Sequence, residues 1–77
     1  MSICQYQNMY KTDLKSIGKN IKAERVRKGY SQEQLAELSD TTRHTISMIE
    51  TGLRQAKILS LLKIANALNI DINKLLQ

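Results

Sequence analysis

Apolar residues at helical spacing and a cluster of turn-forming residues organise the chain between residues 31 and 52. Side chains three or four positions apart share one face of an α-helix. Such apolar positions fall in two groups, Leu35, Ala36 and Leu38 in the first, and Ile46 and Ile49 in the second. Between the groups lies Ser39-Asp40-Thr41, whose side chains can hydrogen-bond the local backbone and favour a turn. The pattern predicts two short helices joined by a tight turn.

The same stretch carries signals for where these two helices begin and end. Ser31 is a predicted N-cap, and Gln34 three residues later completes a capping box. Thr42 is the predicted N-cap of the second helix. Gly52 is predicted to end that helix, because glycine adopts the left-handed conformation without steric cost. Helices this short are unstable alone, so they must pack against other elements.

A longer helix is predicted before this stretch, from about Asp13 to Lys28, with Asp13 or Thr12 as its cap. Its apolar stripe consists of Leu14, Ile17 and Ile21. Gly18 interrupts the stripe and weakens a helix by up to ~1 kcal/mol relative to alanine. A close packing contact at this position would explain the glycine. Gly29 is predicted to end the helix.

The C-terminal part predicts two further helices. The first runs from about Ile58 to Leu68, and Lys57 before it is a poor cap. Its predicted core stripe is Ile58, Leu61, Leu62, Ala65 and Leu68, widened by Leu59 and Ile64. The last helix is short, begins with Asp71 as its cap, and contains Ile72, Leu75 and Leu76.

These elements predict a single all-α domain of five helices. A chain of 77 residues has room for one core, and few β-branched alternations occur in it. Residues 14–77 are predicted to form the domain. Residues 1–13 are predicted to be an N-terminal arm, which is either disordered or a short helical extension.

Composition excludes several classes of function. No apolar run approaches the roughly 20 residues that span a bilayer, and the N-terminus lacks the pattern of a secretory signal. Cys4 is the single cysteine and His44 the single histidine, so neither an internal disulfide nor a metal site is expected. No nucleophile and base can be paired by their spacing, so we expect a non-enzyme without cofactors. A protein of the bacterial cytoplasm fits these features.

The charge is unevenly distributed, and the formal net charge is +5. Residues 11–28 hold seven basic side chains against two acidic ones, and residues 53–63 hold three basic side chains and no acidic one. Basic residues therefore flank the second short helix. This arrangement suits contacts with phosphates on either side of a DNA groove, although any single lysine can equally be a solvated surface residue.

The motif SQEQLA (31–36) followed by TTRHTISMIETG (41–52) resembles the helix-turn-helix of the lambda-repressor and Cro-type (XRE-like) family of DNA-binding regulators. The resemblance extends to residues 17–31 and 58–76. It implies a five-helix lambda-repressor-like domain whose helix-turn-helix is formed by helices 2 and 3. Asp40 departs from the family pattern, which usually has glycine at this turn; aspartate tolerates the left-handed conformation at some cost.

Helical spacing places Arg43, His44 and Ser47 on one outward strip of the second short helix, with Met48 beside them. Hydrogen-bond donors at the N-terminal end of a helix fit the DNA major groove. The resemblance implies that the base-contacting residues are Arg43, His44, Ser47 and Met48, and that the phosphate-binding residues are Gln32, Thr42, Thr45, Arg54 and Lys57. In this interpretation Gln32 also braces the base-contacting helix, and Thr45 faces either a phosphate or neighbouring protein. It also implies an ion pair between Arg25 and Glu50 that positions the base-contacting helix.

Two functions from different classes follow. The first is a sequence-specific transcription regulator that binds an inverted repeat of double-stranded DNA as a homodimer, such as a phage-type repressor, a restriction–modification controller or an autoregulating antitoxin. The expected dimer interface consists of Ile72, Leu75, Leu76 and Leu59, although these residues can also complete the monomer core. The second is a protein-interaction module that keeps the helix-turn-helix as a scaffold and binds a toxin or another regulator.

Overall fold

A computed structural model of the chain contains five α-helices and, in its described part, no strand. The structure describes the backbone of residues 3–76 and the side chains of residues 15–76. The helices are α1 Ile3–Arg27, α2 Gln32–Leu38, α3 Arg43–Glu50, α4 Ile58–Leu68 and α5 Asn73–Leu76. The predicted all-α, five-helix architecture is confirmed. No described helix is both long enough and apolar enough to cross a membrane.

α1 begins at Ile3, well before the predicted start at Asp13. The proposed caps Asp13 and Thr12 therefore lie within the helix, and this prediction is wrong. The stretch from residue 3 to 13 contains neither glycine nor proline, so nothing in it interrupts a helix once formed. The side chains of the predicted arm and of Leu14 lie outside the described part.

Each of the first four helices is followed, one or two positions after its last residue, by a residue in the left-handed conformation. These residues are Gly29 (φ 79°), Asp40 (φ 57°), Gly52 (φ 75°) and Asn69 (φ 57°). In every case the next residue donates its amide to a carbonyl five positions back, as Tyr30 does to Arg25 and Leu53 to Met48, both at 3.0 Å. This is the Schellman pattern, which satisfies carbonyls that a helix end leaves without partners. Both predicted glycine stops are confirmed.

The core lies where α4 and α5 meet the inner faces of α1, α2 and α3. Its completely buried large side chains are Ile21, Leu35, Ile46, Ile64, Leu68 and Leu75. Ala36 is also buried, and its small side chain allows α2 and α3 to approach closely. The helix-turn-helix therefore rests on a hydrophobic base that includes residues from all five helices.

α4 has the predicted bounds but not the predicted buried face. Leu61, Ile64, Ala65 and Leu68 are buried, whereas the side chains of Ile58 and Leu62 are 62% and 47% exposed. The prediction that Ile58 and Leu62 belong to the core is wrong. Eight of the eleven residues of α4 are leucine, isoleucine or alanine, and they form an apolar arc of which only part contacts α1 and α2.

Leu75 belongs to the interior of the monomer. Its side chain is completely buried, and its carbonyl accepts a hydrogen bond from Asn20 Nδ2 of α1 at 3.0 Å. Leu75, expected at a two-fold interface, is therefore a core residue, which is the alternative that its sequence left open. Ile72 packs partly against the same core, while Leu76 and Leu59 are exposed.

α1 and α3 are in backbone contact at Gly18. A Cβ atom added there would lie against the carbonyl oxygen of Ile49 and 2.6 Å from that of Glu50. Both obstacles are main-chain atoms, which cannot move aside as the end of a flexible side chain can. The glycine therefore allows the backbones of α1 and α3 to come into direct contact, which is the close packing predicted at this position.

Replacing Gly18 by alanine is expected to destabilise the protein by about 1–3 kcal/mol, because overpacking outweighs the gain of up to ~1 kcal/mol in helix propensity. The measurement is the free energy of unfolding in urea at a fixed protein concentration. Lys19→Ala, an exposed change on the same helix, is the matched control and should have little effect. A Gly18→Ala variant as stable as the control would contradict the close contact.

Candidate nucleic-acid interface

The start of α2 is fixed by reciprocal hydrogen bonds. Ser31 Oγ accepts from the amide of Gln34 at 3.0 Å, and Gln34 Oε1 accepts from the amide of Ser31 at 2.8 Å. This is the predicted capping box. It places Gln32 at the first helical position, where its side chain can reach across to α3.

A buried carboxylate joins α1, α2 and α3. The side chain of Glu50 is only 2% exposed. Its Oε2 accepts from Arg25 Nε at 2.7 Å, and its Oε1 accepts from Arg25 Nη2 at 3.3 Å and from Gln32 Nε2 at 3.1 Å. Arg25 Nη1 also donates to the carbonyl of Tyr30 at 2.8 Å. We call these three side chains, Arg25, Gln32 and Glu50, the carboxylate cluster.

The carboxylate cluster determines how α3 is oriented. A guanidinium fork on a carboxylate is directional, so it restricts both the rotation and the tilt of the helix that carries Glu50. Gln32 was expected to bind phosphate and to brace α3. In the structure the amide nitrogen of Gln32 donates one of its two hydrogens to Glu50, so this side chain braces α3.

α3 begins at a threonine cap. Thr42 Oγ1 accepts from the amide of Thr45 at 3.2 Å, as predicted for an N-cap. The two threonine hydroxyls also lie 2.9 Å apart, so one donates to the other. One hydroxyl hydrogen of the pair remains free to point outwards, beside the exposed first turn of α3.

The outward side of α3 presents the residues expected to contact bases. Arg43 and His44 are exposed and Ser47 is half-buried, and these three side chains line one shallow depression. Met48, also half-buried, follows Ser47 on α3. Arg43 additionally borders a neighbouring depression lined by Arg25, Ser31, Gln32 and Glu33. The first turn of α3 is therefore continuous with the N-terminal end of α2.

The segment after α3 carries two expected phosphate ligands. Arg54 and Lys57 are exposed, and the amides of Leu53 and Arg54 both donate to the carbonyl of Met48, at 3.0 and 3.3 Å. The last turn of α3 therefore leads directly into the basic loop. Lys57 stands at the N-cap position of α4 without a side-chain cap, as predicted.

Some basic side chains are neutralised within the protein and others are not. Arg27 donates to Glu24 at 2.6 Å, and this hydrogen bond lowers the pKa of the Glu24 carboxyl. Within residues 15–76, no acidic group lies within 4.0 Å of Arg43, Arg54 or Lys57. Arg43 lines the depression on α3, Arg54 and Lys57 follow the end of that helix, and the charge of all three is available to an anionic partner.

Two features of this region were missed in the sequence. Glu33 borders the depression beside Arg43, and Asn20 ties α1 to the carbonyl of Leu75. The position of Glu33 one residue after Gln32 could have indicated the first, since both belong to the first turn of α2. For Asn20 there was no local signal, because its partner lies 55 positions away.

The described part of the chain shows no cluster of side chains able to hold a metal ion. His44 stands on the exposed face of α3, with Arg43 and Ser47 as its neighbours in the depression. The chemistry of the surface is that of hydrogen-bond donors and positive charge, which matches the edges of bases and the phosphates of DNA.

Comparison with known proteins agrees with this geometry. A family model described as helix-turn-helix matches residues 21–75. The restriction–modification controller protein C.AhdI from Aeromonas hydrophila is similar, with a TM-score of 0.83 and 36% identity over 86% of this chain and 96% of that chain. The hypothetical transcription factor NHTF from Neisseria has a TM-score of 0.80 and 31% identity over 87% of this chain and 78% of that chain.

The clp gene regulator ClgR from C. glutamicum shares the fold, with a TM-score of 0.77 and 24% identity over 80% of each chain. A search of curated proteins gave no match. The family model covers most of the chain, and its span contains both helices of the motif and the carboxylate cluster. The chain therefore belongs to the helix-turn-helix family of the lambda-repressor and Cro type, whose members are DNA-binding transcription regulators.

Proposed function

We propose that this protein is a sequence-specific transcription regulator that binds an inverted repeat of double-stranded DNA as a homodimer, with α3 in the major groove. The observation that carries the proposal is the exposed strip of Arg43, His44 and Ser47 on a helix whose orientation is fixed from behind by a buried carboxylate. A helix face that only contacts water does not need a buried ion pair to fix its orientation, whereas base recognition requires hydrogen-bond donors held at defined positions.

Each side chain of the strip has a chemical role in this proposal. Arg43 can donate two hydrogen bonds to guanine O6 and N7, while His44 and Ser47 can donate to or accept from base edges. Met48 offers an apolar contact to a thymine methyl group. Base contacts of this kind supply sequence preference.

Phosphate contacts position the strip in the groove. Thr42 and Thr45 place a hydroxyl at the first turn of α3, and Arg54 and Lys57 add positive charge after its last turn. Gln32, whose amide nitrogen is engaged by Glu50, contributes by bracing α3 and by orienting the first turn of α2. Phosphate binding by Gln32 then requires that the amide reorient or share its second hydrogen.

The kind of regulator is also part of the proposal. A phage-type repressor, a restriction–modification controller and an autoregulating antitoxin all agree with the sequence. The similarity to the controller protein C.AhdI, along 96% of its length and at 36% identity, supports the controller among these three.

Selection from a random duplex library with the purified protein, at about 150 mM salt, tests the central proposal. The expected result is enrichment of an inverted repeat whose half-sites lie about one helical turn apart, ~10 bp from centre to centre. If the protein is a restriction–modification controller that regulates its own expression, this repeat should occur upstream of its own gene. Recovery of no repeat, with weak and strongly salt-dependent binding, would favour the protein-interaction module instead.

Truncation of Arg43 to alanine is expected to remove the preference for one base pair in each half-site, at a cost of about 1–3 kcal/mol in discrimination per contact. The measurement is competition binding with operators that carry single base changes. Arg27→Ala removes the same charge from a side chain that is already paired with Glu24, and it serves as the control. Uniform weakening on all sequences would show that Arg43 contacts phosphate rather than a base.

The dimer proposal rests on apolar side chains that the monomer leaves in water. Ile58, Leu59 and Leu62 lie within about 100° of one another around α4, and their exposures are 62%, 62% and 47%. Leu76 on α5 is also exposed, and Ile72 is half-buried. Leu75 has no part in the proposed interface because the monomer core encloses it.

Substitution of Leu59 by lysine should prevent self-association, because two-fold symmetry brings the new charge into an apolar contact in both chains. Sedimentation equilibrium at micromolar concentration should give about twice 8.8 kDa for the wild type and 8.8 kDa for the variant. Leu38→Lys, at an exposed leucine of α2, should remain dimeric. A wild type that sediments as an 8.8 kDa monomer would end the dimer proposal.

A further inference from the structure

One side of α1 follows the end of α3. Lys15, Gly18, Lys22 and Arg25 recur at intervals of three, four and three residues, so they lie on the same side of the helix. Gly18 packs against the carbonyl groups of Ile49 and Glu50, and Arg25 binds the Glu50 carboxylate. This side of α1 therefore faces α3, and its two lysines stand next to the helix proposed to enter the groove.

Both lysines are exposed at this boundary. Lys15 adjoins the turn that ends α3, since a Cβ atom added to Gly52 would lie 3.3 Å from Lys15 Cγ and 3.6 Å from Lys15 Cα. Lys22 stands one turn of α1 beyond Gly18 and one turn before Arg25, and its side chain is exposed. Neither lysine has an acidic group within 4.0 Å among residues 15–76.

The opposite side of α1 differs in charge. There Arg27 is held by Glu24, and Lys74 of α5 lies close enough to Glu24 to favour its ionised form. The positive charge of that side is thus partly compensated within the protein. On the side that faces α3, the buried Glu50 carboxylate is paired with Arg25 and Gln32 and forms no ion pair with either lysine.

We propose that Lys15 and Lys22 bind phosphates of the DNA strand that borders the groove occupied by α3. This inference rests on the proposed function and extends its interface from the helix-turn-helix to the side of α1. The lysines are about 10 Å apart along the helix axis, so each can approach a different phosphate. Together with Arg54 and Lys57 in the loop after α3, they add exposed positive charge next to that helix.

Lys15 could instead act within the protein, because a cation near the C-terminal end of a helix interacts favourably with its carbonyl groups. That role would lower stability upon substitution and would leave the salt dependence of DNA binding unchanged. Lys22 lies further from the last turn of α3. If the role is structural, only substitution of Lys15 should lower the free energy of unfolding. If the role is phosphate binding, both substitutions should reduce the salt dependence of DNA binding by the same amount.

The test measures the dissociation constant against salt concentration, by fluorescence anisotropy of the full chain with two labelled duplexes. One duplex carries the selected inverted repeat and the other a scrambled sequence. The proteins are the wild type, Lys15→Gln, Lys22→Gln, the double variant, and Lys74→Gln as a control of equal charge change on α5. Unfolding in urea is measured for each variant.

The dimer carries each substitution twice, so each substitution in α1 is expected to reduce the slope of log K against log salt by about 1.8, and the double variant by about 3.6. At roughly 0.15 M salt each change should weaken binding of the dimer about 30-fold on both duplexes, without altering base preference. Lys74→Gln should have the wild-type slope.

A double variant with the wild-type slope, on a wild-type protein that binds its repeat, would overturn this inference and leave the proposed function intact. A loss of binding that follows a loss of stability in Lys15→Gln, with Lys22→Gln unchanged, would likewise overturn it. A wild-type protein that binds neither duplex would remove the proposed function and this inference together.

Discussion

The carboxylate of Glu50 is the point on which the arrangement of the first three helices depends. It lies at the end of α3, is almost completely removed from water, and accepts hydrogen bonds from α1 through Arg25 and from α2 through Gln32. A charge in such a place must be paired, because an isolated buried carboxylate costs several kcal/mol. The burial of Glu50 therefore requires this pairing, which ties α1 and α2 to the end of α3.

This interaction contributes more to orientation than to net stability. The desolvation of two charged groups offsets much of their mutual attraction, so a buried ion pair is weak evidence for a more stable fold. Its directional hydrogen bonds nevertheless select one rotation of α3 from those that the apolar contacts of Ile46 and Ile49 would allow. The face that carries Arg43 and His44 is a consequence of that selection.

Local signals were sufficient to predict much of the fold and of the exposed site. The capping box of Ser31 and Gln34, the threonine cap of α3, the glycine stops, and the bounds of α4 all depend on residues within a few positions of one another. The outward strip of α3 follows from helical periodicity for the same reason. Each of these features depends on residues that are close to one another in the sequence.

What the sequence could not determine depends on distant partners. The apolar arc of α4 is wider than the surface that α1 and α2 cover, so its pattern did not reveal that Ile58 and Leu62 stay exposed. The burial of Leu75 depends on α1, which is more than 50 residues earlier, through the hydrogen bond of Asn20. The predicted start of α1 was wrong because Asp13, although a good N-cap residue, can also lie inside a helix that begins earlier in the chain.

α1 contacts both α3 and α5: Gly18 lies against the backbone of α3, and Asn20 donates a hydrogen bond to the carbonyl of Leu75 in α5. α3 and the C-terminal helix α5 therefore both pack directly against the same helix, α1. In a symmetric pair of chains, α1 would hold α3 at a fixed position relative to α5 in each copy. The distance between the two copies of α3 would be set by rigid helix packing, so a change in the spacing of the operator's halves would weaken binding even where every contacted base is retained.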